Sequence, residues 1–100
     1  MKNNIKCVLF NGLGGAGQRH LRIFRKLLPN VRFVCTRSIG KTPVLNRDFS
    51  VKKNTDLSKE YNIEIFNNLK QAYKAKPDIS VIATPSSRHF EDCMTALNYN

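Results

Sequence analysis

Residues 5–17 read IKCVLFNGLGGAG, a short apolar run that passes directly into a stretch rich in glycine. The run from Cys7 to Phe10 has no charged residue, which is typical of a parallel strand covered on both faces. Four glycines at positions 12, 14, 15 and 17 then break the strand. We therefore expect a first strand over residues 5–10 and a tight turn over residues 11–17.

An amphipathic helix is expected directly after the turn, because apolar residues recur there at helical spacing. The expected buried face comprises Gly17, Leu21, Phe24 and Leu28, with His20, Ile23 and Leu27 as a neighbouring stripe that widens it. The basic side chains of this segment take the opposite face. Pro29 ends the helix, because the residue before a proline is disfavoured in the α region.

The rest of the chain alternates between β-like and helical segments, as in βαβ units. Strands are expected over residues 31–36, 63–66 and 79–84, and helices over residues 56–61, 69–76 and around Phe90, Cys93, Met94 and Leu97, with a loop over residues 38–55. Right-handed crossovers place all four strands in one parallel sheet with the order 3-2-1-4. The predicted fold is therefore α/β, a doubly wound Rossmann-type sheet that is incomplete at its C-terminal end.

The glycine stretch matches the pattern G-x-G-x-x-G in the context that gives this pattern meaning, after a strand and before a helix. Its six residues are Gly12, Leu13, Gly14, Gly15, Ala16 and Gly17. In this pattern the first glycine permits the turn, the second lets a pyrophosphate approach the backbone, and the third lets the helix pack on the sheet. We interpret the six residues as a dinucleotide-binding turn. A plain glycine-rich turn without a ligand is the alternative.

The end of the second predicted strand bears on which dinucleotide binds. An acidic residue there holds the ribose hydroxyl of NAD, whereas an arginine accommodates the additional phosphate of NADP. The strand ends in Thr36, Arg37 and Ser38, and the first acidic residue of the chain is Asp48. Arg37 and Ser38 are therefore candidate cofactor ligands, and NADP is favoured over NAD. A solvated loop arginine is the alternative for Arg37.

A second candidate loop, ATPSSRH at residues 83–89, follows the fourth predicted strand. Ligands of doubly wound sheets lie at the carboxyl ends of the strands, so this loop is expected to face the glycine turn. The candidate cofactor contacts in it are Thr84, Pro85, Ser86 and His89. Simple N-capping of the last helix is the alternative for Ser86 and Ser87. A helix residue without function is the alternative for His89.

The charge is unevenly distributed along the chain, whose formal net charge is +10. Residues 1–47 carry ten Lys and Arg and no acid, whereas residues 48–100 carry seven charges of each sign. A basic first half suits a phosphorylated cofactor or a nucleic acid. A nucleic-acid-binding module is the less favoured interpretation, because neither a helix-turn-helix pattern nor interleaved basic and aromatic residues occur.

Other features of the sequence limit the classes of function. No apolar stretch approaches the length of a membrane span or of a signal-peptide core. The three cysteines, Cys7, Cys35 and Cys93, are widely spaced. We therefore expect reduced thiols, no metal site and a cytoplasmic location.

Two motifs together resemble those of the Gfo/Idh/MocA oxidoreductases. They are GLGGAGQRHL at residues 12–21 and ATPSSRH at residues 83–89, and the resemblance spans essentially the whole chain. It implies an N-terminal Rossmann domain, a C-terminal α/β substrate domain, and hydride transfer between NAD(P) and a sugar, cyclitol or related small molecule. It also implies cofactor contacts from Gly12, Gly14, Gly17, Thr84, Pro85 and Ser86, with His89 matching the histidine that follows the fourth strand.

The chain departs from this family at the position of the catalytic residue. The family's catalytic lysine lies in a Glu-Lys-Pro motif after the helix that ends here, whereas Ala75-Lys76-Pro77 precedes the fourth strand. We therefore name no catalytic residue. We expect residues 1–100 to be a truncated cofactor-binding domain that binds NAD(P) without turnover. A non-catalytic NAD(P)-binding protein is the alternative. The fourth strand is expected to leave an open edge at which the chain could associate with a second copy as a homo-oligomer.

Overall fold

The computed structural model describes residues 5–36, 44–48 and 50–99. Its strands are β1 (Cys7–Asn11), β2 (Arg32–Thr36), β3 (Glu64–Phe66) and β4 (Ile79–Ile82). Its helices are α1 (Gly15–Leu27), α2 (Leu57–Tyr61), α3 (Leu69–Tyr73) and α4 (His89–Asn98), with a 3₁₀ turn over Ser86–Arg88 before the last. No helix of the described residues is long and apolar enough to cross a membrane.

The four strands form one parallel sheet in the order β3-β2-β1-β4. The central strand β1 pairs on one side with β2 and on the other with β4, so that Val8 lies between Phe33 and Ile79. The predicted fold class and strand order are confirmed: this is a Rossmann-type α/β sheet. Parallel strands end at the same edge, so the loops after β1, β2 and β4 are brought together there.

Every residue of β1 is buried, as the apolar run predicted. Alternate side chains of a strand point to opposite faces of the sheet. Phe10 therefore joins a core cluster with Leu21 of α1, whereas Leu9 joins a second cluster with Tyr73 of α3. Phe24 of α1 meets the ring of Phe10 edge to face, with ring centroids 5.7 Å apart. Helices thus cover both faces of the sheet.

The prediction that a second stripe widens the buried face of α1 is wrong. His20 is exposed, as are Ile23 (49%) and Leu27 (72%). The polar residue Gln18 of the same helix, in contrast, is fully buried. Its amide nitrogen donates to the carbonyl oxygen of Leu13 (3.0 Å), and its amide oxygen accepts from the backbone N–H of Leu45 (2.7 Å). Gln18 can be buried because these bonds replace its bonds to water.

The last helix forms as predicted, but its apolar residues are not buried. Phe90 is 74% exposed, and Cys93, Met94 and Leu97 are exposed as well. The buried residue of α4 is Asp92, whose carboxylate accepts a hydrogen bond from the hydroxyl of Thr84. The apolar spacing thus predicted the helix, whereas the residue that the helix buries is polar and is held by a hydrogen bond.

Several boundaries differ from the prediction. β1 begins at Cys7 and includes Asn11, α3 ends at Tyr73, and β4 ends at Ile82. The predicted loop over residues 38–55 lies partly outside the described residues, and its described part contains a single antiparallel bridge between Leu45 and Val51. Arg37 and Ser38 lie outside the described residues.

Asp78 joins the beginning of β4 to the beginning of β1. Its carboxylate accepts hydrogen bonds from the backbone N–H groups of Lys6 (2.7 Å) and Cys7 (3.1 Å). Its own N–H donates to the carbonyl oxygen of Cys7 at 2.8 Å. The two backbone donors stabilise the charged carboxylate and lower the pKa of Asp78 below its ordinary value.

We expect the Asp78→Ala variant to melt at a lower temperature than the wild type at neutral pH. Because the folded-state pKa of Asp78 is lowered, its stabilisation is complete above the unfolded-state pKa and is lost as the pH falls through the folded-state pKa. Thermal unfolding should therefore show a difference at about pH 7 that shrinks at about pH 3. Glu91→Ala, which removes an exposed carboxylate of α4, is the control. A difference that is independent of pH would contradict this explanation.

Candidate functional site

Three strand ends are tied together at the carboxyl edge of the sheet. The backbone N–H of Gly12 donates to the carbonyl oxygen of Thr36 at 3.1 Å, which joins β1 to β2. The N–H of Ala83 donates to the carbonyl oxygen of Asn11 at 2.9 Å, which joins β4 to β1. The glycine turn and the loop over residues 83–89 are therefore neighbours, as the sequence predicted.

Gly12 occupies a position that other residues do not tolerate. Its φ of +89° is in the left-handed region, where an L side chain is strained. A Cβ at this position would lie 3.0 Å from the backbone carbon and oxygen of Ala83 and from the nitrogen of Thr84. Gly12 therefore allows the chain to turn out of β1 while it touches the loop that follows β4.

Gly17 permits the close packing of α1 on the end of the sheet. A Cβ on this residue would lie 2.9 Å from the carbonyl oxygen of Gly12 and 3.2 Å from the Cβ of Ala83. The oxygen belongs to the backbone and cannot move away cheaply. The first and third glycines of the pattern thus fix where the helix begins relative to the two loops.

Gly14 differs from these two glycines, because no atom of the described residues outside its own stretch of backbone lies within 4 Å of the place where its Cβ would be. It is the N-cap of α1, with an ordinary φ of −77°, and no side chain of the described residues caps the helix. The first turn contains no acidic residue. The N–H groups of that turn have no partner within the helix, so the helix presents a positively polarised end toward open space.

The remaining residues of the turn divide between the surface and the core. Gly15 is partly buried and Ala16 is exposed, so their backbones border the open space beside Gly14. Leu13 is 2% exposed and belongs to the core cluster that covers one face of the sheet. Its side chain therefore anchors the turn, and only its backbone can take part in binding.

Asn11 supplies a buried polar group that the sequence analysis missed. Its amide oxygen accepts a hydrogen bond from the hydroxyl of Thr36 at 3.3 Å. Its amide nitrogen is buried and has no hydrogen-bond partner among the described residues. A buried donor without a partner costs free energy, so it is expected to find an acceptor in a ligand or a water molecule.

A cavity of about 170 Å³ lies at this edge of the sheet. It is lined by Asn11, Gly12, Thr36, Asn67, Asn68, Leu69, Thr84 and Arg88. Most of these side chains are polar, and they lie at or just after the carboxyl ends of β1, β2, β3 and β4. Their position at strand ends was the available signal, because ligands of doubly wound sheets lie at these ends.

The loop after β4 is held by its own side chains. The hydroxyl of Thr84 donates to the carboxylate of Asp92, and the guanidinium of Arg88 lies 3.7 Å from the same carboxylate. The imidazole Nε2 of His89 donates to the carbonyl oxygen of Thr84 at 2.7 Å. The side chains of Thr84 and His89 are therefore engaged within the loop, and its backbone is the part that borders Gly12.

The alternative in which the serines cap the last helix is wrong. The 3₁₀ turn has Pro85 before it and α4 has Arg88 before it, and neither of these N-caps makes a side-chain capping bond within the described chain. Ser86 and Ser87 are exposed, as is Pro85. Their hydroxyls are thus not committed to capping the helix.

These residues fit a bound diphosphate. The open space at Gly14 admits it, the uncapped start of α1 favours negative charge, and the free amide of Asn11 offers a further donor. No cluster of His, Cys, Asp and Glu side chains within residues 5–36, 44–48 and 50–99 could hold a metal ion. The arrangement thus presents N–H donors and a positively polarised helix end to an anionic ligand.

Comparison with known protein families identifies the family of this chain. The family model of the Gfo/Idh/MocA oxidoreductases, described as an oxidoreductase family with an NAD-binding Rossmann fold, matches residues 6–100. No curated protein and no solved structure gives a significant match. The match covers nearly the whole chain, so the chain belongs to this family and is an NAD(P)-binding domain of an oxidoreductase.

The glycines differ in their surroundings, and we expect their substitutions to differ in cost. Gly12→Ala should lower the free energy of unfolding by about 2–4 kcal/mol, because the positive φ and the contact with Ala83 both oppose a Cβ. Gly14→Ala should change it by less than about 1 kcal/mol, because only the N-cap preference opposes it. Urea unfolding followed by circular dichroism measures both. Equal losses would show that the space beside Gly14 is not open.

Proposed function

We propose that this chain binds the diphosphate of NADP or NAD at residues Gly12 to Gly17 and serves an enzyme that oxidises or reduces a small molecule. The observation that carries the proposal is the uncapped start of α1, which faces open space beside Gly14. The bound nicotinamide would supply the hydride or accept it. The residues of this chain bind the cofactor, orient it and hold the two loops around it.

The electrostatics of the turn support this assignment. The positive end of a helix and its unpaired N–H groups favour an anion, and an acidic residue in the first turn would oppose one. That turn has no acid, and the first acidic residue of the chain is Asp48. The backbone approach that a diphosphate needs is possible at Gly14, where no side chain intervenes.

The loop after β4 would contribute mainly through its backbone and its exposed residues. The hydroxyl of Thr84 is engaged with Asp92, so Thr84 and Pro85 would border the cofactor through their main chain. The hydroxyl of Ser86 is exposed and available for a hydrogen bond. His89 would position this loop through its bond to the carbonyl oxygen of Thr84 rather than act as a base.

The choice of NADP over NAD rests on the sequence after β2. No carboxylate stands where NAD-binding domains hold the ribose hydroxyl, and Arg37 and Ser38 follow Thr36 directly. An arginine matches the geometry of a phosphate with paired N–H donors. We therefore propose that these two residues bind the 2′-phosphate of NADP.

The substrate proposal follows from the family resemblance rather than from the geometry. We propose a sugar, cyclitol or related small molecule as substrate, an N-terminal position for this domain, and a cytoplasmic location. We assign no catalytic proton donor among these residues. The 100 residues alone should bind cofactor without turnover.

Gly14→Val tests the proposed diphosphate site. The added side chain would fill the space beside the start of α1, and it should weaken NADPH binding at least about tenfold, which corresponds to the loss of one charge-assisted hydrogen bond. NADPH fluorescence titration measures the affinity. Far-UV circular dichroism shows whether the fold is retained, as the ordinary φ of Gly14 predicts.

Ser58→Val is the matched control, because it adds similar bulk at an exposed position of α2. It should leave NADPH affinity unchanged within twofold, about the resolution of such a titration. A folded Gly14→Val variant that binds NADPH as tightly as the wild type would refute the diphosphate assignment.

Arg37→Ala tests the preference for NADP. It should lower the affinity for NADPH about tenfold or more, because a charged hydrogen bond to the 2′-phosphate is lost, and leave the affinity for NADH nearly unchanged. Lys53→Ala removes the same charge at an exposed position and is the control. An equal loss of affinity for NADPH and NADH would contradict the proposed role of Arg37, and it would not contradict the proposed diphosphate site.

A further inference from the structure

A second and larger cavity lies along the outer face of α1. Its volume is about 650 Å³, and we call it the basic groove. It is lined by Arg19, Arg22, Ile23, Arg25, Lys26, Arg47 and Tyr61. Five of these side chains are cationic and none is acidic. No residue of the glycine turn lines it, so it is separate from the proposed diphosphate site.

The cations of the basic groove are not neutralised by the described residues. The ion pairs among the described residues join Arg32 to Glu64, Lys52 to Glu60 and Arg88 to Asp92, and none of them involves a groove residue. Several like charges in one concavity repel each other and raise the local positive potential. A bound anion would relieve that repulsion.

Arg22, one of the residues that line the groove, is held in place by two hydrogen bonds. Its guanidinium donates to the hydroxyl of Tyr61 at 3.1 Å and to the carbonyl oxygen of Leu45 at 3.3 Å. A guanidinium has five N–H donors, so donors remain for a ligand. Because the side chain of Arg22 is already fixed, it loses less conformational entropy when a ligand binds.

Arg25 builds the wall of the groove. Its guanidinium donates to the carbonyl oxygens of Tyr61 and Asn62 and lies 4.4 Å from the ring centroid of Phe33. These contacts link α1 to the end of α2 and to β2. Arg25 therefore contributes charge but holds the groove together rather than reaching outward.

The groove also has an apolar surface. Ile23 is exposed at the middle of the helical face, and Tyr61 is partly buried beside it. An aliphatic side chain and an aromatic ring provide a place for a flat ring of a ligand. Exposed cations, Arg19, Lys26 and Arg47, surround this surface.

We propose that the basic groove binds an organic polyphosphate, such as a nucleoside triphosphate, at a site separate from the dinucleotide. The ring would lie against Ile23 and Tyr61, and the phosphates would contact Arg19, Arg22, Lys26 and Arg47. A volume near 650 Å³ is typical of small-molecule sites. The groove cations of α1 span only about 10 Å of helix, which suits a compact polyanion better than a nucleic acid.

Titration of the ¹⁵N-labelled chain with ATP tests the proposal by NMR. Amide shifts should cluster at residues 19–26, 45–47 and 61 and be distinct from those that NADPH causes at residues 12–17. Tripolyphosphate should bind at the same residues more weakly than ATP, and adenosine should bind at least tenfold more weakly than ATP. Affinity for ATP should fall as the salt concentration rises.

The triple variant Arg19→Ala, Lys26→Ala, Arg47→Ala should raise the Kd for ATP at least tenfold. The matched control Lys53→Ala, Lys70→Ala, Lys74→Ala removes the same charge from exposed positions elsewhere and should change it less than twofold. Equal losses in the two variants would show that only net charge acts and would overturn the proposal.

Two further results would overturn the proposal. Shifts confined to residues 12–17 would place ATP in the dinucleotide site instead. A single-stranded oligonucleotide that binds the groove residues more tightly than ATP would assign the surface to nucleic acid. Neither result depends on whether NADPH binds at the glycine turn, so the two proposals fail separately.

Discussion

The site depends on the close approach of three backbone segments at the end of β1. The carbonyl oxygen of Gly12 faces α1 at Gly17, and Gly12 itself touches the backbone of Ala83 after β4. No side chain fits at either contact, so the approach exists only because both residues are glycines. This contact fixes the start of α1 against the loop after β4. Gly14 lies between them without any such contact, which leaves one place where the backbone is accessible to a ligand.

The local sequence pattern was sufficient to predict the sheet and the glycine turn, because both depend on residues that are close together in the sequence. An apolar run predicts a buried strand, and the spacing of Gly12, Gly14 and Gly17 predicts the turn. The sequence analysis wrongly added His20, Ile23 and Leu27 to the buried face of α1, and it did not predict the buried polar residues of α1 and α4. Gln18 and Asp92 are polar, and each is buried because of a partner elsewhere in the fold, the N–H of Leu45 and the hydroxyl of Thr84. Apolar periodicity does not register such partners.

The residues of the candidate site also divide into those that a sequence motif predicted and those that only the fold revealed. The glycines and the loop after β4 were found from motifs, whereas Asn11 was not, because a single asparagine at the end of an apolar strand carries no motif. Its importance comes from burial and from an amide nitrogen without a partner among the described residues. The roles of Thr84 and His89 also changed, since their side chains bind within the loop. Motifs thus located the site, and hydrogen bonds decided which atoms remain available for it.

Four of the ten cations of residues 1–47 lie on α1, the helix that borders both proposed anion sites. In the proposed diphosphate site the start of α1 would act through its backbone N–H groups, whereas the flank of α1 contributes side-chain cations to the basic groove. From Gly14 to Arg22 the helix rises about 12 Å, roughly one and a half times the Debye length of about 8 Å at physiological salt. An anion bound in one site should therefore lower the affinity of the other site for its anion only slightly at physiological salt. At low ionic strength the screening is lost, and the two occupants should oppose each other through the shared helix.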